Sequence, residues 1–490
     1  MNDRKLSRAC PLRTLILLVV SLTVGAAAIT HQSFWMDEGN AIFKAMMPSL
    51  PDMWNFSKHM RGSEIQMPLF MLSLWGWVKI GWESEYALRA INLPFLAIMV
   101  LAFRRYRFWP LVCLTSPFVL YYVGELRPYM FQMAGAAVGF SALCQIVRQD
   151  PKSAETGGIN GLLFSSIFMA ATSLTAAVCS IGLCLGLVIA RPHLLKNMGF
   201  WKRVAIWSPL ALLVATYYTY TLMEGFRGAV DRGGGLLSMG FGGYEMIGLM
   251  GLGPGRDEIR GSDLIGLLTG YPWLPLFAAV IAVVWLIGVG EFAAPYSPRA
   301  KVALASSVIL PVTVFAAVSV IANFSILGRH MSPLIPALLV PLACCCDVAV
   351  RKFRSRPFVA VAVSAVIACG IASSAMLRFS ERHERDDYRS ATHLALKALR
   401  DGQTVLWQGD MNAPRYYAYR EGGMPLVNYL QRLESEMPSS RMFADIIFIN
   451  RPDLRFEGAD HLPILKRDGF ELKERFPGFE IWENGYSKIQ

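Results

Sequence analysis

Apolar residues in this chain run in long blocks, not at a strand or amphipathic-helix period. The blocks occupy 12–30, 86–103, 108–123, 129–147, 159–175, 177–190, 204–223, 271–290, 302–322, 331–350 and 357–377. A helix that crosses a bilayer needs about 20 such residues. Several blocks reach that length, while 108–123, 159–175 and 177–190 are shorter. The pattern predicts about eleven spans. The first block lacks an Ala-x-Ala-like cleavage site, so it reads as an uncleaved span and not as a removed signal peptide. Residues 67–82 are also apolar, but short and rich in Trp, an interfacial residue. They are expected to form a juxtamembrane or re-entrant helix on the outer face, so that 31–85 is one outer segment.

Beyond Arg378 the pattern changes to short charged and aromatic alternations. Asp386 to Leu399 predicts an amphipathic helix, Thr404 to Gln408 a strand, and Ala413 to Arg420 a helix. Ala444 to Asn450 predicts a buried strand, and Phe470 to Phe476 with Phe479 to Glu483 a hairpin around Pro477-Gly478. The expected organisation is a polytopic α-helical membrane domain, 1–378, followed by a small α/β domain, 379–490.

Composition agrees with a chain mostly in lipid: 54% of the 490 residues are hydrophobic and 17% charged. Basic residues mark alternate loops. Arg4, Lys5 and Arg8 precede the first span and Arg13 stands at its start; Arg104, Arg105 and Arg107 follow the second; Arg148 and Lys152, then Arg191, Lys196, Lys202 and Arg203, then Arg299 and Lys301, then Arg351, Lys352, Arg354 and Arg356 continue the series. By the positive-inside rule the N-terminus is cytoplasmic, and an odd span count puts the C-terminal domain outside. The net charge of +11 is then a record of topology, not a nucleic-acid signal. The nine cysteines lie in or beside spans without disulfide or metal spacing, and Cys344–Cys346 are expected to be packing residues.

Four polar constellations fall on the outer face under this topology. Asp37-Glu38 follow the first span. Glu125-Leu126-Arg127-Pro128-Tyr129 sit between the third and fourth spans. Gly251-Leu252-Gly253-Pro254-Gly255-Arg256 lie in the long loop 225–270. Gly328-Arg329-His330-Met331-Ser332 enter the tenth span. Ions at a membrane surface are costly unless they pair or bind a ligand. Carboxylates can deprotonate an acceptor or hold a divalent cation, and arginine forks grip phosphate. Asp37 and Glu38 are thus the catalytic candidates, with Asp37 also a metal-ligand candidate for Mg or Mn. Arg127, Tyr129, Arg329 and Arg256 are the candidates for a lipid-phosphate donor. Glu125 and His330 are the supporting residues.

Around these residues the chain resembles bacterial GT-C glycosyltransferases, the group that includes protein O-mannosyltransferases and lipid A aminoarabinose transferases. The similarity covers roughly 12–350 and rests on Trp35-Met36-Asp37-Glu38-Gly39, Met67-Pro68-Leu69-Phe70, Ser84-Glu85-Tyr86-Ala87-Leu88-Arg89, Glu125-Leu126-Arg127-Pro128-Tyr129 and Arg329-His330-Met331-Ser332-Pro333-Leu334-Ile335-Pro336. The resemblance implies an inverting transferase of the bacterial inner membrane that uses a polyprenyl-phosphate sugar, with Asp37 catalytic. The chain departs from the pattern at Gln66-Met67-Pro68, where relatives often carry His-Pro-Pro or Lys-Pro-Pro, and at Arg329-His330, where many carry Arg-Tyr. Gln66 is uncharged, so Lys58, Arg61 or Arg256 is expected to supply the missing charge.

The expected function is transfer of a sugar from a polyprenyl-phosphate donor to a lipid, glycan or protein acceptor on the periplasmic side. The rival class is a transporter or flippase of a lipid-linked glycan. It predicts inverted internal repeats and matched broken spans, and the sequence has no such symmetry. A scaffold whose outer domain binds partners would keep its activity without Asp37.

Overall fold

The structure is a computed structural model that describes residues 11–60, 62–149, 156–224, 234–255, 258–259, 264–435, 444–450 and 465–485. The chain divides into two compact units. The first comprises Met1–Ile29, Asn55–Ser73 and Arg89–His383, and the second Thr30–Trp54, Leu74–Leu88 and Glu384–Gln490.

The first unit is helical. Seven helices among the described residues are long and apolar enough to cross a membrane: Pro11–Ala28, Glu85–Ala102, Tyr129–Arg148, Leu274–Ala293, Pro298–Ile321, Gly328–Arg351 and Pro357–Phe379. Two shorter apolar helices, Gly158–Thr172 and Leu174–Ala190, fall on further expected spans. The block 108–123 is not one rod. It breaks into Trp109–Thr115 and Pro117–Val123, because Pro117 cannot donate to the preceding turn and Ser116 becomes the cap of the second helix. The ambiguous segment 67–82 contains the helix Pro68–Lys79, whose 12 residues are too few to span.

The buried centre of this unit is Tyr129–Arg148. Small residues let neighbouring helices approach closely. A Cβ at Gly182 would lie 2.7 Å from the Ser307 carbonyl, and one at Gly186 would lie 2.8 Å from that of Ala303. A buried polar chain runs from Ser332, which donates to Gln132 Oε1 at 2.7 Å, to Ser173, which accepts from Gln132 Nε2 at 2.9 Å. Such groups need partners inside a bilayer, and here they tie three helical segments together.

The second unit carries a four-stranded sheet, with β1 Val405–Gln408, β2 Ile446–Asn450, β3 Phe470–Phe476 and β4 Phe479–Asn484. Their order is β1-β2-β4-β3, with β1 and β2 parallel and the other pairs antiparallel. Gly478, at φ 75°, makes the tight turn between β3 and β4. Helix Tyr388–Arg400 starts where Asp387 accepts from Ser390 N at 3.1 Å. The helix expected at 413–420 begins at Asn412 and extends to Ser435 across a break at Gly423. A boundary drawn from composition at 378 leaves this unit incomplete, because helix Met36–Ala45 packs on Asn412–Ser435.

Candidate active site

In the second unit, Trp35 is the extended residue before helix Met36–Ala45, so Asp37 and Glu38 occupy its first turn. Carboxylates are favoured at that end of a helix dipole. The two acids differ in setting. Glu38 is fully buried; its Oε2 accepts from Trp35 N at 3.3 Å and from Arg385 Nη1 at 2.6 Å. Asp37 is half-buried. Glu38 therefore anchors the turn that carries Asp37. Sequence reasoning named both and put Asp37 first.

The strand leading into this turn is also fixed. Phe34 N donates to Tyr417 Oη at 2.8 Å, and Arg389 N donates to Ser33 Oγ at 3.1 Å. Burial pushes the Tyr417 hydroxyl well above its ordinary pKa, so it remains a neutral hydrogen-bonding group. Gly39 faces Ala413 so closely that a Cβ there would lie 2.3 Å from the Ala413 Cα. Glu83 pairs with Arg420 at 2.7 Å, and that guanidinium lowers the Glu83 carboxyl below its usual range.

In the first unit, Arg127 does not stand open. Its Nη1 meets Glu64 Oε1 at 2.6 Å and its Nη2 donates to Ser63 Oγ at 2.9 Å, with Arg127 and Glu64 both buried. The short turn Ser63–Gln66 that supplies Glu64 is held from behind. Tyr217 donates to the Ile65 carbonyl at 2.6 Å, and Tyr218 to that of Gln66 at 3.2 Å. Glu125 is buried, and its carbonyl accepts from Asn92 Nδ2 at 2.6 Å. Tyr129, also buried, packs edge-on against Tyr122 at 4.7 Å. Lys58 donates to Tyr220 Oη at 3.0 Å.

Arg329 is half-buried in the turn Gly328–Leu334. Its neighbour His330 accepts from Leu327 N through Nδ1 at 3.0 Å, which places the proton of a neutral ring on Nε2. The glycine-rich loop is pinned at several points. Gly251 N donates to Ser373 Oγ at 3.1 Å, Gly253 O accepts from Arg382 at 3.0 Å, and Gly255 N donates to Glu258 at 2.7 Å. His383 Nε2 reaches Gly251 O at 3.3 Å. Burial, aided by the Arg382 charge, holds the His383 ring below its ordinary pKa. Arg61 and Arg256 lie outside the described residues.

Sequence reasoning missed Glu64, Glu245 and Arg385. Glu245 carried a signal, being the one acid in the apolar stretch Leu236–Ile247. Among the described residues no three His, Cys, Asp or Glu side chains gather to hold a metal ion. Glu38, the nearest companion of Asp37 in sequence, is engaged by Arg385. Among the described residues, Asp37 thus has no three-group cluster around it, and Glu38 already carries the Arg385 charge.

No protein-family model matches the chain, and no curated protein matches it in sequence. Solved structures do match its fold. ArnT from Cupriavidus metallidurans bound to undecaprenyl phosphate aligns with a TM-score of 0.54 at 14% identity, over 98% of this chain and 99% of that one. Its apo state aligns with a TM-score of 0.52 at 15% identity, over 96% and 98%. The chain has the fold of a GT-C glycosyltransferase.

Proposed function

We propose that this protein is a membrane glycosyltransferase that moves a sugar from a polyprenyl-phosphate donor to a lipid, glycan or protein acceptor at the periplasmic face of the bacterial inner membrane. The observation that carries this reading is the end-to-end fold likeness to a protein solved with undecaprenyl phosphate. The basic loops support eleven spans, a cytoplasmic N-terminus and an outer C-terminal unit.

Asp37 is the base in the proposed reaction. Its carboxylate takes the proton from an acceptor hydroxyl or amine. The acceptor atom bonds to the anomeric carbon from the face opposite the donor phosphate, the anomeric carbon–oxygen bond breaks, and its electron pair leaves on the polyprenyl phosphate. Within the first unit, Arg329 is the candidate grip for the donor phosphate. Arg127 holds the Ser63–Gln66 turn through Glu64.

The test is purified full-length protein in nanodiscs with a panel of undecaprenyl-phosphate sugars, alongside mass spectrometry of envelope glycans with and without the gene. Release of undecaprenyl phosphate that needs both acceptor and Asp37 supports the reading. Export of an intact lipid-linked glycan without cleavage would replace it with the transporter reading.

A further inference from the structure

We propose that Glu245 is a positioning residue for Arg329, a role that rests on the donor-phosphate reading above. Its carboxylate sits at the N-terminal end of the turn Gly328–Leu334 and accepts from Gly328 N at 2.6 Å. A carboxylate there satisfies a backbone donor that the turn itself leaves open. Glu245 is buried in an otherwise apolar helix, a costly location for a carboxylate without a dedicated partner.

Three residues on one helix face define the contact, spaced i, i+4 and i+7. Ser238 donates to Ile326 O at 3.0 Å. A Cβ at Gly242 would lie 2.6 Å from Met331 Cε, and one at Gly328 would lie 2.8 Å from Glu245 Cβ. Both glycines let the helix and the turn come within reach of the Glu245 hydrogen bond. The backbone of Arg329 is thus set between that bond at Gly328 and the Leu327–His330 bond. Ser332, two residues further on, donates to the buried Gln132. Fixing the backbone from which the Arg329 side chain leaves lowers the ordering cost of aligning its fork with phosphate, and Glu245 fixes that backbone at Gly328.

The experiment measures binding of undecaprenyl phosphate to full-length purified protein for Glu245→Ala, Glu245→Asp and Glu245→Gln, each with Arg329 intact and as Arg329→Ala, with thermal unfolding in parallel. Aspartate keeps the charge but is one carbon–carbon bond too short. Glutamine keeps an acceptor oxygen at full length. Glu245→Asp and Glu245→Ala are expected to weaken binding about tenfold, within the loss for one charge-assisted bond. Glu245→Gln is expected to bind normally, and none of the three to add to the loss in Arg329→Ala. If Arg329→Ala binds normally, the donor-phosphate reading fails. If Arg329→Ala weakens binding but Glu245→Asp does not, or if the two losses add, Glu245 is not the positioning residue. Should Glu245→Ala fail to fold, the Asp and Gln variants decide the matter.

Discussion

Arg127→Met is the most informative single perturbation, because two roles for this arginine predict different losses. In the structure its guanidinium meets Glu64 at 2.6 Å with both side chains buried. At that distance the bare attraction is about 6 kcal/mol for an effective dielectric of ~20, before the cost of removing both ions from water. Removing one partner leaves the other charge buried and uncompensated, at about 3–5 kcal/mol. Removing both, as in Glu64→Leu with Arg127→Met, removes that penalty, and such replacements are often neutral or stabilising. Each single variant should therefore unfold at a clearly lower temperature in detergent, and the double variant should recover most of the loss. A double-mutant cycle in denaturant, read by tryptophan fluorescence, gives the coupling. Undecaprenyl phosphate binding to the folded double variant should match wild type. Additive destabilisation would refute the ion-pair reasoning. A loss of binding of about tenfold or more in a well-folded double variant would return Arg127 to the donor phosphate.

Four further outcomes follow from particular contacts. Asp37→Asn keeps size and removes the base, so transfer should fall about 10²–10⁴-fold with folding intact; near-normal turnover would exclude the role. Gly39→Ala places a methyl against the Ala413 backbone and should destabilise the second unit by about 1–3 kcal/mol, measured by its proteolytic resistance. Ser84→Cys should react with an impermeant thiol reagent from the periplasmic side and Ser355→Cys should not; both positions are exposed, and labelling of Ser355→Cys in intact spheroplasts would invert the topology. His383 has a folded pKa below its ordinary 6.5, so its contribution is complete above that pH and declines as pH falls below it. Thermal stability should therefore drop between pH 7.5 and 5, and His383→Asn should flatten the drop.

The apolar blocks placed the helices well because burial in lipid demands continuous hydrophobic sequence. The block 129–147 became Tyr129–Arg148, and 357–377 became Pro357–Phe379. The strands were legible for a similar reason, their alternation and turn residues being local. What lay hidden was non-local. Glu64 and Arg127 are 63 residues apart, Glu245 and Gly328 are 83, and Glu38 and Arg385 are 347. No local pattern specifies such partners. The break at Ser116-Pro117 was written in the chain, but uniform apolarity masked it. The turn Ser63–Gln66 supplies Arg127 with Glu64, a partner that no local spacing points to.

The tie between Glu38 and Arg385 has a consequence for biosynthesis. The turn that carries Asp37 is made early, yet the arginine that locks its neighbour emerges 347 residues later. At about 5–20 residues per second, that is a wait on the order of 20–70 s. Every membrane helix has been translated by then. A chain cut short before Arg385 would insert its apolar helices with the Glu38–Arg385 tie unmade, so a truncated product would occupy the membrane with the Asp37 turn unlocked.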